Sequence, residues 1–564
     1  MLISILFACI AGRDAFWGAM RGSLVNPDSY MRLIRLQEIL RQQAPLHTVP
    51  RDGSGLGTVL HWSHLLDSIV LALACPLVPV FGWHAALYWI AVAFGPHSLG
   101  LLGLALAWAI APLTDRQWRW LAPVLAGISP GILGYGLPGV LHHHVLLALI
   151  VTMTAGWAGR ASMRCAWAGW FAGAWAGTGI WLSPETMPFS LMVFGALGLA
   201  WLLYPDVPQL GRSLRDFGSS FLLVILFALA VDPPLTGYGA VEIDRLSIVY
   251  GVLGFVVCAI GWVLWALGRL HLSMCPRALG GAGAMLAGLG AWVSVFPSVL
   301  RGPDGLMDRE TARAFFTGIT EMMPAVTLDQ VLFYLWTGVL GAGIAAALAW
   351  WRRSLLWGYV ALCGVAAVAL GALHLRFSTY SEVLGAAMLP AALAIPSTLG
   401  LPEMKQAAAR LSLCLLFFAP QAGNWFRATD AAAKGAFDCS VRDLGPLLSA
   451  YSGQVVLADV NDTPELLYRT GVLTVGSLYH RNPGAFMRLR AAWRSGPSGT
   501  VPDAVRATGA SLLLFCPSKR RSSLVFDLPA DTLLDRLNRG EPPRWLTKIG
   551  EHASSGHVLY RITE

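Results

Sequence analysis

Ser247-Ile-Val-Tyr-Gly-Val-Leu-Gly-Phe-Val-Val-Cys-Ala-Ile-Gly-Trp-Val-Leu-Trp-Ala-Leu-Gly268 runs for 22 residues without an Asp, Glu, Lys or Arg. As a helix rising 1.5 Å per residue it would be ~33 Å long, enough to cross a hydrocarbon core of ~30 Å. Apolar runs of this kind recur from Trp89 to about Pro420. Composition agrees: 55% of 564 residues are hydrophobic, 13% are charged and mean hydropathy is +0.58, whereas soluble domains carry roughly 25% charge. From Arg427 onward charge, Pro and polar residues return to globular levels. The chain therefore reads as a polytopic α-helical membrane part, 1–422, followed by a soluble domain, 427–564.

The net charge of +8 comes from 36 Arg and only four Lys (Lys405, Lys434, Lys519 and Lys548). The Arg residues sit in short loops between apolar runs and form no stripe, which argues against a nucleic-acid partner and follows the positive-inside bias. The Arg-for-Lys skew is that of a GC-rich genome. Seven Cys (Cys9, Cys75, Cys165, Cys258, Cys275, Cys363 and Cys414) lie in or beside apolar segments and read as packing residues. Cys439 and Cys516 both fall in the soluble domain and can pair there in an oxidising compartment.

Leu2–Gly12 is short for a span and lacks the flanks of a secretory signal. It reads as a shortened first span, as a late-assigned start would leave. Leu65–Val80 is apolar but holds Asp67, Pro76 and Pro79, so it is either a span or a helix on the membrane surface. If it does not cross, the basic loops at Arg116/Arg119, Arg160/Arg164, Arg212/Arg215, Arg269/Arg277, Arg352/Arg353 and Lys405/Arg410 share one side. About thirteen spans result, near 1–20, 90–112, 119–136, 142–157, 165–181, 187–204, 217–231, 247–268, 279–299, 328–350, 355–375, 380–400 and 407–422. The long loops 26–89 and 301–327 and the C-terminal domain then share the outer face.

Several polar groups on that face are costly to keep at a lipid edge: Asp28 and Arg32 one turn apart, with Tyr30 between them, then His142-His143-His144, Glu185 and Glu321. Acids and imidazoles together can hold a divalent cation or a phosphate counter-ion. Each also has a structural reading. Asp28 can cap a helix, and Glu185 after Pro184 suits the first turn of one. Glu321 before Met-Met-Pro324 can end a loop helix. Three successive His on a helix point about 100° apart, so at most two of them share a site.

The order of these groups resembles the GT-C superfamily of membrane glycosyltransferases, and within it the catalytic subunit of oligosaccharyltransferases. Asn26-Pro-Asp-Ser-Tyr-Met-Arg32 is similar to the first outer loop with its Asp-x-Tyr pattern, Asp28 matching the catalytic Asp. Gly134-Tyr-Gly136 through His142-His-His144 falls at the second acidic motif, Thr317-Gly-Ile-Thr-Glu-Met-Met-Pro324 resembles the Ser-Val-Ser-Glu-x-x-Pro loop with Glu321 matching its Glu, and Arg376-Phe-Ser-Thr-Tyr380 is similar to the Arg that follows. The resemblance covers about 20–400. It departs in having His142 where the family has Asp, and in lacking the Trp-Trp-Asp-Tyr-Gly motif that reads the Asn acceptor.

The resemblance implies a GT-C-like enzyme with a small periplasmic α/β domain. It would move a sugar from a polyprenyl-phosphate or polyprenyl-diphosphate donor to a glycan, lipid or protein acceptor, by inversion, at the periplasmic face of a bacterial inner membrane. Asp28 and Glu321 would be catalytic, Arg376 and Arg32 would bind the donor phosphate, and His142, His144 and Glu321 would hold Mn or Mg. Glu185, Tyr30, His143 and His480 are further outer-face candidates. The rival reading, a transporter or flippase, needs charge along a transmembrane path, whereas the acids here gather on one face; a third reading, a silent relative that is only a binding protein for lipid-linked glycans, is favoured by the His142 departure. In the C-terminal domain Val455–Asp459 and Ala510–Phe515 read as buried strands, Pro483–Trp493 and Asp531–Asn538 as helices, and Tyr479-His-Arg-Asn482 as a polar cluster that either reaches back to the membrane site or, as the favoured reading, forms a solvated loop.

Overall fold

Ser247–Gly268 folds as the helix Ile248–Arg269, with the Ser247 hydroxyl accepting from Val249 N–H at its start. Its small residues let a neighbouring backbone approach, which is how helices associate in lipid. A Cβ at Gly261 would lie 2.4 Å from the carbonyl oxygen of Leu214 on the helix Pro208–Val231, and one at Gly173 would lie 2.1 Å from that of Phe217. Around such contacts the helices form one bundle whose outer surface stays apolar: Leu279 is 70% exposed and Leu286 76%. Only lipid solvates such a surface without cost. The computed structural model describes residues 1–163, 165–317, 319–431, 439–517 and 531–563. Arg164 of one expected basic loop, Gly318 of the Glu321 motif and 432–438 at the expected boundary lie outside them.

Among the described residues nine helices are long and apolar enough to cross a membrane, the segments Leu65–Ala109 through Leu375–Thr398. The other four expected spans fall short of that measure for local reasons. Residues 1–20 break into Leu2–Ala11 and Arg13–Met20, and 119–136 into Leu121–Ile128 and Pro130–Gly136. Ala168–Leu182 has 15 residues, ~22 Å of helix. The helix Glu403–Ala431 runs past the expected 407–422.

The segment Leu65–Val80 begins and returns at one end of the bundle. Asp67 pairs with Arg32 and Arg35 of the helix Pro27–Gln42 at 3.2 and 3.1 Å. Beyond a break at Gly82 (φ +71°), His84 stacks on Tyr468 of the C-terminal domain at 5.6 Å and bonds Gln37 at 3.0 Å. The acidic and His-bearing loops collect at this end. At the other, Arg160 lies over Trp108, Arg410 over Trp118 and Arg277 over Trp201.

The C-terminal domain is built on a five-stranded mixed sheet. With β1 (Thr48–Val49) and β2 (Thr58–Val59) forming a small hairpin in the first outer loop, the domain contributes β3 (Val455–Leu457), β4 (Leu473–Thr474), β5 (Leu512–Phe515), β6 (Leu546–His552) and β7 (His557–Ile562), ordered β4-β3-β5-β7-β6. The strands expected near 455 and 510 are β3 and β5, and the helices Pro483–Trp493 and Leu533–Asn538 occupy the expected places. Cys439 and Cys516 form a disulfide, Cα to Cα 5.8 Å.

Both long loops dock on this domain. Arg51 donates to the carbonyls of Leu467, Thr470 and Val472, and buried Asp52 accepts from Thr474 and Ser477. From the loop 301–327, Phe315 of the helix Arg309–Phe316 packs on Phe486 at 4.8 Å.

Because Asp67 is the carboxylate partner of two buried guanidiniums, Asp67→Ala is expected to cost about 3–5 kcal/mol, measured as the change in thermal unfolding in detergent. A loss under about 1 kcal/mol would show that Arg32 and Arg35 are solvated in the folded protein.

Candidate active site

The helix Pro27–Gln42 begins with Pro27 in its first turn, and its cap is Asn26, whose side chain accepts from Ser29 N–H at 2.9 Å. Asp28 is thereby relieved of the capping role open to it in the sequence. Ser29 is buried and its hydroxyl accepts from Leu141 N–H at 2.8 Å, which fixes His142 beside the helix start. The Asp28 carboxylate accepts from Tyr479 Oη at 2.6 Å on one oxygen, and its other oxygen lies 3.0 Å from His142 Nε2. Burial pushes this carboxyl up, but His142, Tyr479 and Arg32 together outweigh it and hold it at about 2. The side chain keeps 38% of its exposure, so an ionised oxygen stays within reach of a ligand. Burial and the neighbouring carboxylate push the Tyr479 hydroxyl well above its ordinary value, which keeps it a donor.

The three histidines share one site, contrary to the expectation of at most two. The helix starts only at His144, with His143 at its cap, so the 100° spacing does not apply to the triplet. Their rings stack, His142 to His143 at 4.5 Å and His142 to His144 at 4.4 Å, and their ligand nitrogens lie within 4.8 Å of one another. His142 and His144 meet Nδ1 to Nδ1 at 2.6 Å. Tyr135, between two glycines, lies flat on His144 at 4.2 Å. The His143 ring is buried, and its Nδ1 has no hydrogen-bond partner.

Arg376 enters from the start of the helix Ser378–Thr398. It pairs with Glu185 at 2.6 Å and approaches His144 Nε2 at 3.3 Å, while its Nε is buried without a partner. Glu185 also lies 3.5 Å from His144 Nε2 and accepts from Tyr380 at 3.4 Å. The Glu321 loop is tied alongside, His374 Nδ1 to Met322 O at 2.9 Å and Leu375 N–H to Met323 O at 3.0 Å. Glu321 itself accepts from Tyr135. Asp28, His142, His143, His144, Glu185, Glu321 and Arg376 thus form one continuous polar site, joined by Tyr135 and Tyr479.

Three expected residues lie elsewhere. Arg32, 2% exposed, is committed to Asp67 and lies 4.2 Å over the Trp62 ring, so it is a buried structural cation and not a phosphate ligand. Tyr30 bonds Leu24 N–H, Glu465 and Arg469. His480 bonds Asp244 at 2.6 Å. In the metal cluster His143 takes the place expected for Glu321. The stretch Tyr479–Asn482 is not a solvated loop: Tyr479 reaches Asp28, His480 and Arg481 reach Asp244, and Asn482 donates to Gly57 O and Thr58. Its four polar residues beside a helix start were the visible signal for this docking.

No protein-family model and no curated protein matches the sequence. Solved structures match it by fold. The archaeal oligosaccharyltransferase AglB from Archaeoglobus fulgidus, in complex with an inhibitory peptide and a dolichol-phosphate, superposes with a TM-score of 0.70 at 14% identity, over 92% of this chain and 69% of that one. Its apo form gives 0.71 at 14% identity with the same coverage, and its complex with Zn and sulfate 0.66 at 13%, over 100% and 73%. The chain has the GT-C fold. On this fold the polar site lies where both long loops and the C-terminal domain meet the bundle end.

Removing the Tyr479 hydroxyl deletes a hydrogen bond to a charged group, so Tyr479→Phe is expected to lower stability by about 1.5–3 kcal/mol in thermal unfolding at pH 7. A depressed carboxyl contributes stability above its ordinary value, lost as pH falls through the folded one. The Tyr479→Phe difference should therefore persist undiminished down to about pH 4; its collapse already near pH 6 would show that Asp28 is not held ionised.

Proposed function

We propose that this chain is a membrane glycosyltransferase that moves a sugar from a polyprenyl-phosphate or polyprenyl-diphosphate carrier to an acceptor at the outer face of a bacterial inner membrane. The observation that carries the reading is the convergence of an accessible, ionised Asp28 and the guanidinium of Arg376 on one histidine cluster at the bundle end. The GT-C fold and the Zn-bearing and dolichol-phosphate-bearing relatives support it. The Cys439–Cys516 disulfide supports a periplasmic C-terminal domain, as does the gathering of Arg at the opposite end. We count thirteen spans, allowing the short and broken helices to cross beside longer neighbours, and divide the chain into 1–422 and 427–564.

In the inverting transfer, the acceptor's nucleophile attacks the anomeric carbon as the bond to the carrier phosphate breaks, and the phosphate leaves with the electron pair. Asp28 accepts the nucleophile's hydrogen bond and orients it; a carboxylate held at about 2 is a weak base, so its role is alignment more than early proton removal. Arg376, steadied by Glu185, faces the negative charge that develops on the departing phosphate. Tyr479 must share or yield its Asp28 oxygen when the acceptor enters.

The site fits a divalent ion. His143 Nδ1 is buried without a partner, and the donor set of three imidazoles with nearby carboxylates suits Zn better than the oxygen-seeking Mn or Mg. His142, His143 and His144 would hold the ion, which when bound would supply positive charge for the leaving phosphate. Without the Trp-Trp-Asp-Tyr-Gly motif, the acceptor is not an Asn-x-Ser/Thr sequon.

In nanodiscs supplied with polyprenyl-phosphate sugars, Asp28→Asn and Arg376→Ala are each expected to lower transfer at least ~100-fold. Asp28→Asn should leave carrier binding intact. Full transfer by both variants would sink the assignment. Chelation should abolish transfer, with recovery on adding Zn²⁺ or Mn²⁺.

A further inference from the structure

A second group of metal-ligating side chains lies outside the polar site. His61 comes from the first outer loop, Asp244 from the loop before the helix Ile248–Arg269, and His480 from the C-terminal domain. One ligand atom from each lies within 4.8 Å of the others. His480 Nε2 sits 2.6 Å from Asp244 Oδ2, and the His61 and His480 rings are 4.4 Å apart.

We propose that His61, Asp244 and His480 bind a divalent transition-metal ion, Zn²⁺ by preference, that fastens the C-terminal domain to two loops of the membrane bundle. Four observations carry it, none of which depends on the transferase reading. Two imidazoles with one carboxylate are a zinc donor set that leaves a fourth position open. His61 Nδ1 is buried and has no hydrogen-bond partner, a cost that a metal bond would remove. His61 and Asp244 also line a small cavity together with Ser63, Arg245 and His143, and His143, only 7% exposed, likewise has an unpartnered Nδ1. Finally, Asp244 is held from behind by the fork of Arg481, with Nε on Oδ2 at 2.8 Å and Nη2 on Oδ1 at 2.5 Å, an outer support that orients a ligating carboxylate.

The charges permit a dication. Glu242 and Asp244 face Arg481, while the nearby Arg245 is matched by Asp232. Tetrahedral Zn²⁺ with ligands at ~2.0–2.1 Å separates them by roughly 3.3 Å. His480 and Asp244 would therefore part slightly and His61 close in, with His480 giving up the proton it now shares. Tyr479 adjoins His480, so the ion would also fix the hydroxyl that bonds Asp28.

The test strips the full-length protein in nanodiscs with a chelator and titrates Co²⁺ back, reading visible d–d absorption and bound metal. Wild type should bind one equivalent more than His61→Ala/His480→Gln, and that equivalent should survive in His142→Ala/His144→Ala. Equal binding by wild type and His61→Ala/His480→Gln would overturn the proposal. Should that variant fail to fold, zinc-edge anomalous density from wild-type crystals soaked in Zn²⁺ decides it. A peak bounded by His61, Asp244 and His480 supports the site, and its absence at saturating Zn²⁺ overturns it.

Discussion

Asp67 held between Arg32 and Arg35 is the interaction on which the end of the bundle next to the C-terminal domain depends. All three side chains are at most 2% exposed, so none can reach water for compensation. Charges buried this deeply persist only when matched. The match locks the helix Pro27–Gln42 onto the helix Leu65–Ala74, and Arg35 adds a bond to Trp62 O at 3.0 Å. With the helix placed, its start is placed too: Asn26 caps, Ser29 receives Leu141 N–H, and Asp28 is left pointing at His142 and Tyr479.

From that anchor the polar surface spreads across a seam between the bundle end and the C-terminal domain. Arg51 and Asp52 enter the domain from the first loop, and Tyr479, His480, Arg481 and Asn482 return from it. Burial pushes the Asp52 carboxyl up, and hydroxyl donors from Ser477, Thr58 and Thr474 only partly offset this. A seam this rich in matched polar groups fixes relative position more strictly than an apolar patch would, since each mismatch leaves a buried group unpaired. Asp28 is a ligand-accessible carboxylate whose partners come from both sides of that seam, so its geometry reports whether the domain is seated.

The membrane part was legible because hydrocarbon imposes one simple rule, that a crossing helix must be long and apolar. The nine helices that satisfy it each overlap an expected span, though the first, Leu65–Ala109, also takes in the segment 65–80 expected not to cross, while 119–136 and 165–181 are the places where Pro130 or a 15-residue length departs from that rule. Asp28, His142, Glu185 and Glu321 stood out because polar groups at a lipid edge are costly, and Arg376 entered only through the family resemblance. Their pairing was hidden, since pairing is tertiary. Arg32 is adjacent to Asp28 in sequence, yet its partner Asp67 sits inside an apolar run. The histidine triplet was misjudged by applying helical spacing from His142, two residues before the helix starts at His144. Strands β6 and β7 carry Lys548, Glu551 and Arg561 on their exposed faces, so their alternation is weaker than in the fully buried β5.

Charge balance at the polar site bears on its chemistry. Three carboxylates, Asp28, Glu185 and Glu321, share the site with the guanidinium of Arg376, which is already paired with Glu185 at 2.6 Å, while Arg32 near Asp28 is committed to Asp67. A phosphate approaching this set alone would meet net negative charge across a few ångströms, where poor solvation strengthens repulsion. A divalent cation among the histidines would cancel that charge. On the proposed transferase reading it would remove the repulsion that a carrier phosphate otherwise meets and would leave Asp28, on the far side of His142, free to align the incoming nucleophile. The proposed arrangement would thus separate two tasks that a single charge cannot perform, holding an anionic leaving group and aligning the nucleophile that displaces it, by placing the imidazoles between them.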